Sequence, residues 1–154
     1  MKQIFILFGK PIPKKRPRFT KRGNFVQTYN CQKKEEDNFR RHLKCQFKTK
    51  PLSCPLIIDF EFVFDRPKSH YGTGRNSKTL KATSPDFHVV KPDKDNLEKF
   101  ALDCMEGVVF NNDSQVFSGT TTKRYALEGE EAQTIISIET GGKEPQKIIS
   151  IETI

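Results

Sequence analysis

From Leu56 to Phe64 the apolar residues Leu56, Ile58, Phe60, Phe62 and Phe64 fall at every second position, with Asp59 and Glu61 between them. That is the period of a strand with one buried face, and it leaves Asp59 and Glu61 pointing to solvent without a chemical role. The short apolar run Ile4 to Phe8, closed by Gly9 and Pro11, predicts a second buried strand. Residues 33 to 48 space Phe39, Leu43 and Phe47 four apart among Lys33, Arg40, Arg41, Lys44 and Lys48, predicting an amphipathic helix. A second helix, roughly Asn96 to Glu106, is marked by Leu97, Phe100, Ala101, Cys104 and Met105 and is stopped by Gly107. A turn at Asn111 to Ser114 leads into a Thr-rich strand over Val116 to Tyr125, and a last strand lies near Thr134 to Glu139. Residues 66 to 92 keep no period and include Pro67, Gly72, Gly74, Pro85 and Pro92. A loop of that length in a compact domain is usually functional or disordered.

The chain has 154 residues, enough for one domain with a real core, and its thirteen Phe residues supply large buried areas. The hexapeptide IISIET occurs at residues 135–140 and again at 148–153. Two copies do not define a solenoid. They read as a local duplication that either closes a hairpin or offers a redundant strand. One domain over residues 1–140 followed by an extension over 141–154 is therefore expected.

Charge changes the picture. The formal net charge is +8, and residues 1–124 hold 25 Lys or Arg against 13 Asp or Glu, whereas residues 125–154 hold 2 against 6. A basic face of this kind suits a polyphosphate partner, because each neutralised phosphate releases counterions. The densest part is Lys10 to Arg22, where seven of thirteen residues are basic and Pro11, Pro13 and Pro17 favour extended backbone. Lys14, Lys15, Arg16 and Arg18, with Lys91 further on, are the candidate nucleic-acid contacts. Phe19, Phe25 and Tyr29 are placed to stack on exposed bases. Cys31, Cys45, Cys54 and Cys104 form no zinc spacing and read as free thiols. With no signal-like or membrane-spanning stretch, they point to a cytoplasmic, DNA-associated protein. His42, His70 and His88 have no neighbouring nucleophile that would mark a catalytic triad.

Against this basic background, Asp93, Asp95 and Asp113 put three carboxylates into a short stretch that also holds Lys99. Carboxylates and phosphates repel unless a divalent cation lies between them. Hard oxygen ligands select Mg2+, with Mn2+ as a substitute. In extended backbone Asp93 and Asp95 would aim to one side, Lys99 would follow Asp95 by one helical turn, and Asp103 would continue that face. Asp113 would join them after the helix turns back. The competing reading is plain structure: Asp95 and Glu98 match a capping box, Asp113 a turn start, and Lys99 with Asp103 a surface ion pair.

The segment KPDKDNLEKFALDCMEGVVFNNDSQV at 91–116, with GKPIPKKRPRF at 9–19 and DRPKSH at 65–70, closely resembles RusA-type Holliday junction resolvases, in particular phage-type members. The resemblance implies an α+β fold with a small mixed sheet and two main helices, and a homodimer. It also implies a Mg2+-dependent, structure-selective endonuclease that nicks four-way DNA junctions in recombination and repair. Carried onto this chain, it assigns metal binding to Asp93, Asp95 and Asp113 and a functional lysine to Lys99. Two positions depart from the usual pattern: Lys94 stands where an apolar residue is common, and Asn112 where a second aspartate often precedes Asp113. The alternatives are a junction-binding protein with impaired catalysis and a metal-dependent nuclease for other branched nucleic acids.

Overall fold

The structure, a computed structural model, describes residues 2–141. The extension beyond Gly141, including the second hexapeptide copy, lies outside the described residues. Strand β1 (Lys2–Phe8) is followed by an irregular segment and a hairpin of β2 (Arg18–Arg22) and β3 (Phe25–Tyr29). Helix α1 (Lys33–Gln46), strand β4 (Leu56–Phe64) and helix α2 (Lys94–Met105) come next. Strands β5 (Val116–Ser118), β6 (Thr121–Tyr125) and β7 (Gln133–Thr140) complete the order.

The main sheet is mixed. β7 lies between β1 and β4 and is antiparallel to both, while β5 and β6 run parallel to β4 along its other edge. Parallel neighbours need a crossover, and α2 supplies it between β4 and β5. The apolar face read from β4 packs with Leu43 of α1, with Phe47 just past its end, and with Leu97, Ala101 and Met105 of α2 in one core. Phe39 and Phe100 meet edge to face at 5.5 Å between the helices. No described helix is long and apolar enough to cross a membrane.

Three expectations change. The strand foreseen over Val116 to Tyr125 is broken at Gly119 and Thr120 because β4 passes too close: a Cβ on Gly119 would lie 1.9 Å from the Ile58 carbonyl oxygen. Asp59 and Glu61 are not idle solvent groups. Asp59 accepts hydrogen bonds from the Thr120 amide and hydroxyl, both at 2.8 Å, and Glu61 pairs with Arg124. The basic arm, expected to stay extended, folds back from Arg18 into a hairpin, with Gly23 at φ +59° in its turn. That left-handed conformation favours glycine.

Arg124 also donates to Glu130 at 2.6 and 2.8 Å, and Glu130 accepts from the Leu127 amide at 2.8 Å. Hydrogen bonding from Arg124 holds the Glu130 carboxyl down at about 2, from an ordinary 4.5, against the opposing effect of burial. A depressed carboxyl pKa stabilises the fold above the unfolded value and loses that contribution as pH falls through the folded one. Glu130→Gln is therefore expected to cost about 2 kcal/mol at pH 7. The urea midpoints of the two proteins should converge as pH drops from 4.5 towards 2.

Candidate metal and DNA site

Helix α2 starts two residues earlier than its apolar pattern suggests, and this rearranges the acids. Asp93 is the N-cap residue, with extended backbone (φ −70°, ψ 146°), yet its carboxylate makes no capping bond. Asp95 lies inside the first turn rather than before it. The alternative reading of Asp95 and Glu98 as a capping box does not hold: Asp95 is already helical, and Glu98 accepts a 2.9 Å hydrogen bond from the Thr121 hydroxyl on β6. Lys99 is exposed one turn beyond Asp95, on the same helical side. The positive end of the helix favours both carboxylates where they stand.

β6 holds the approach to Asp93. The His88 amide donates to the Lys123 carbonyl at 3.1 Å, and the Tyr125 amide to that of Asp86 at 2.9 Å. The Lys123 ammonium donates to the carbonyls of Val90 (2.7 Å) and Pro92 (2.6 Å). Lys123 was not singled out in the sequence, where it is one cation in a Thr-rich strand. His88 stacks on Phe64 with ring centroids 3.9 Å apart. Burial and the Lys123 charge lower its pKa, so it serves as a neutral packing ring. Cys104 is buried, its thiol pushed up to about 12, and is inert.

At the other end of α2, Asn112 caps the 3-10 turn Asp113–Gln115 by accepting from the Ser114 amide at 2.9 Å. The Gln115 side chain accepts from the Asn111 and Asn112 amides and donates to the carbonyls of Leu52 and Cys54. Asn112 thus performs the turn chemistry that Asp113 was weighed for, and Asp113 is left exposed.

A sorting of the eight aspartates results. Asp37, Asp59, Asp65, Asp86 and Asp103 are bonded to Arg40, Thr120, the Ala132 amide, Arg66 and Lys14 respectively. The carboxylates of Asp93, Asp95 and Asp113 make no hydrogen bond or ion pair among the described residues, and neither does the Lys99 ammonium. The fold does not, however, gather all three acids within one chain. A twelve-residue helix is about 18 Å long. Asp93 stands at its start, while Asn112, beside Asp113, reaches Glu106 just past its end at 3.4 Å. Among the described residues no three His, Cys, Asp or Glu side chains form a group able to hold a metal ion.

The basic arm divides in two. Lys14 is committed to the fold: its amide donates to the Asn96 carbonyl at 2.8 Å, and its ammonium meets Asp103 at 2.7 Å and Glu36 at 3.0 Å. Desolvation lowers its pKa, but the bonds to Asp103 and Glu36 outweigh that effect, leaving it raised. Asp103 therefore pairs with Lys14 and not with Lys99. Lys15 reaches Glu35 at 3.6 Å, whereas Arg16, Arg18 and Lys91 are exposed and free of acidic partners among the described residues. Lys14→Met is expected to cost about 2 kcal/mol of stability, because Asp103 loses its cation and the buried Glu36 carboxylate keeps only Asn30 and the more distant Arg40. Arg16→Met and Arg18→Met should leave the unfolding midpoint unchanged and weaken DNA binding.

Residues 9–139 match the family described as Endodeoxyribonuclease RusA. The chain belongs to that family. No curated protein matches it. As a RusA endodeoxyribonuclease it is a DNA-binding hydrolase of the crossover-junction-resolving type, acting in recombination, and its mixed sheet with two helices agrees with the RusA fold. RusA-type nucleases depend on a divalent metal. The donor chemistry here fits one: Asp93 and Asp95 offer hard, exposed oxygens at one helix end, committed to nothing else, and magnesium often takes only one or two carboxylates with substrate phosphate. Lys94 is exposed at the first helical position, outside the core, and Asn112 frees Asp113.

Proposed function

We propose that this RusA endonuclease is a Mg2+-dependent, structure-selective enzyme of DNA recombination and repair. It works as a homodimer and resolves four-way junctions by paired nicks. The observation that carries the assignment of its site is the sorting of aspartates: the three without a structural partner are Asp93, Asp95 and Asp113. In this reading they hold the cation, and bound Mg2+ supplies charge neutralisation at the scissile phosphate and a water acidic enough to attack it. Lys99, one turn from Asp95, stabilises the charge that develops on the phosphate or leaving oxygen. Arg16, Arg18 and Lys91 hold neighbouring phosphates and set the register without reading sequence.

The separation of the acids supports the homodimer. A two-fold partner with its α2 antiparallel would bring its own Asp113 to the Asp93 and Asp95 end, giving two equal sites for two strands of a symmetric junction. Val89 and Val90, just before Asp93, are exposed at 83% and 56%, and a partner at this end would cover them. A labelled synthetic junction incubated with the protein should be nicked in Mg2+ and left intact in chelator, with a blunt duplex of the same arm sequence cut far less. Binding without Mg2+-dependent nicking would defeat the proposal, and preference for flaps or single strands would redirect its substrate.

A further inference from the structure

The β2–β3 hairpin is unlike every other element of the fold. All ten of its strand residues are exposed, so it contributes nothing to the core. Three of its large side chains are nonetheless aromatic: Phe19 is 72% exposed, Phe25 82% and Tyr29 44%. Register sets the layout. Arg18 lies opposite Tyr29 and Arg22 opposite Phe25 on one face, together with Thr20 and Gln27. Phe19, Lys21, Val26 and Thr28 share the other. A ribbon built to pack on protein keeps one apolar and one polar face. This one puts a cation beside aromatic surface on both.

Charge selects the partner. No acidic residue precedes Glu35 in the chain, so nothing on the ribbon balances Arg18, Lys21 and Arg22. A second copy of the ribbon would repel it, whereas phosphates flanking an unstacked base complement it. Base stacking on an aromatic ring does not depend on sequence, which suits an enzyme that recognises shape.

The root of the ribbon is fixed beside the candidate site. Gln32 is buried, donates to the Pro13 carbonyl at 2.8 Å and accepts from the Lys15 amide. Lys14 bonds the Asn96 carbonyl next to Asp95. From that anchor, five-residue strands carry the Gly23–Asn24 tip about 17 Å outward. An isolated two-stranded ribbon is marginal in water, and a bound partner would rigidify it.

We infer that the ribbon is a wedge that enters the open centre of branched DNA, with Phe25 at its tip and Phe19 and Tyr29 behind it stacking on bases unpaired at the branch point. The inference rests on the junction-endonuclease reading and adds the element that distinguishes a branch point from a paired arm.

The chain contains no Trp, so Phe25→Trp introduces a single reporter at an exposed position. Its emission should be quenched by a four-way junction and unaffected by a blunt duplex of the same arm sequence. Phe25→Ala and the triple variant Phe19→Ala, Phe25→Ala, Tyr29→Ala should bind the junction about tenfold or more weakly. Both should keep wild-type affinity for duplex and its salt slope. Unchanged Trp emission, equal quenching by duplex (a ribbon lying in the groove of a paired arm), or a changed sedimentation coefficient without DNA (a ribbon used between subunits) would each overturn the wedge. Those results with wild-type Mg2+-dependent nicking intact remove the wedge alone. Absence of nicking by the folded wild-type protein removes the endonuclease reading and the wedge with it.

Discussion

Asp93→Asn is expected to reduce Mg2+-dependent nicking of a four-way junction by at least about 10³-fold, the scale of losing several kcal/mol of charge stabilisation at a phosphate. Binding in chelator should stay level or tighten, since a negative charge facing DNA is removed. Stability should fall by no more than about 0.5 kcal/mol, because the Asp93 carboxylate makes no capping bond and only its favourable charge at the positive end of the helix is lost. Asp103→Asn, ten residues along the same helix, is the matched control. It weakens the Lys14 pair and should lower the unfolding midpoint while folded protein keeps its nicking rate. Strand-resolved gels, band shifts and thermal melts on the two proteins check all three statements. Nicking by Asp93→Asn at the wild-type rate would remove Asp93 from the site.

The parts of the fold that the sequence disclosed are those in which burial imposes a period. β4 needs alternate residues in the core from Leu56 to Phe64, and α1 and its C-cap present Leu43 and Phe47 to that same core, so both were legible within a residue or two. The hairpin was missed for the converse reason: none of its strand residues is buried, so no hydrophobic period marks it, and the prolines ahead of it dominate the local reading. The break in the strand after Val116 depends on how closely Gly119 approaches Ile58, a tertiary contact with no local trace. The site divides in the same way. Residue types and motif spacing pointed to Asp93, Asp95, Asp113 and Lys99, but not to where the chain returns after α2. Nor did they show that Lys14, a cation among cations in sequence, is held by Glu36 and Asp103. Charge density marks a basic segment. Only packing tells which of its ammonium groups remain available to DNA.

The separation of the acids along α2 leads to the sharpest test of the proposed dimer. If each site takes Asp93 and Asp95 from one protomer and Asp113 from its partner, Asp95→Asn and Asp113→Asn are each inactive as homodimers. Both sites of each variant then lack one ligand. In a mixed dimer the losses fall together: one site carries both substitutions, and the other is assembled wholly from wild-type residues. Mixing the two inactive proteins at equal concentration and allowing subunit exchange should therefore restore about one quarter of the wild-type sites, since half of the dimers are mixed and each has one intact site. Those dimers should nick one strand of a junction and not the symmetric pair, so the product is singly nicked DNA in place of two resolved duplexes. A site built within one chain predicts the opposite, because every site in every mixed dimer would still lack a carboxylate and no activity would return. Asp93→Asn mixed with Asp95→Asn is the internal control. Both substitutions lie at one end of one helix, so they do not complement under either arrangement.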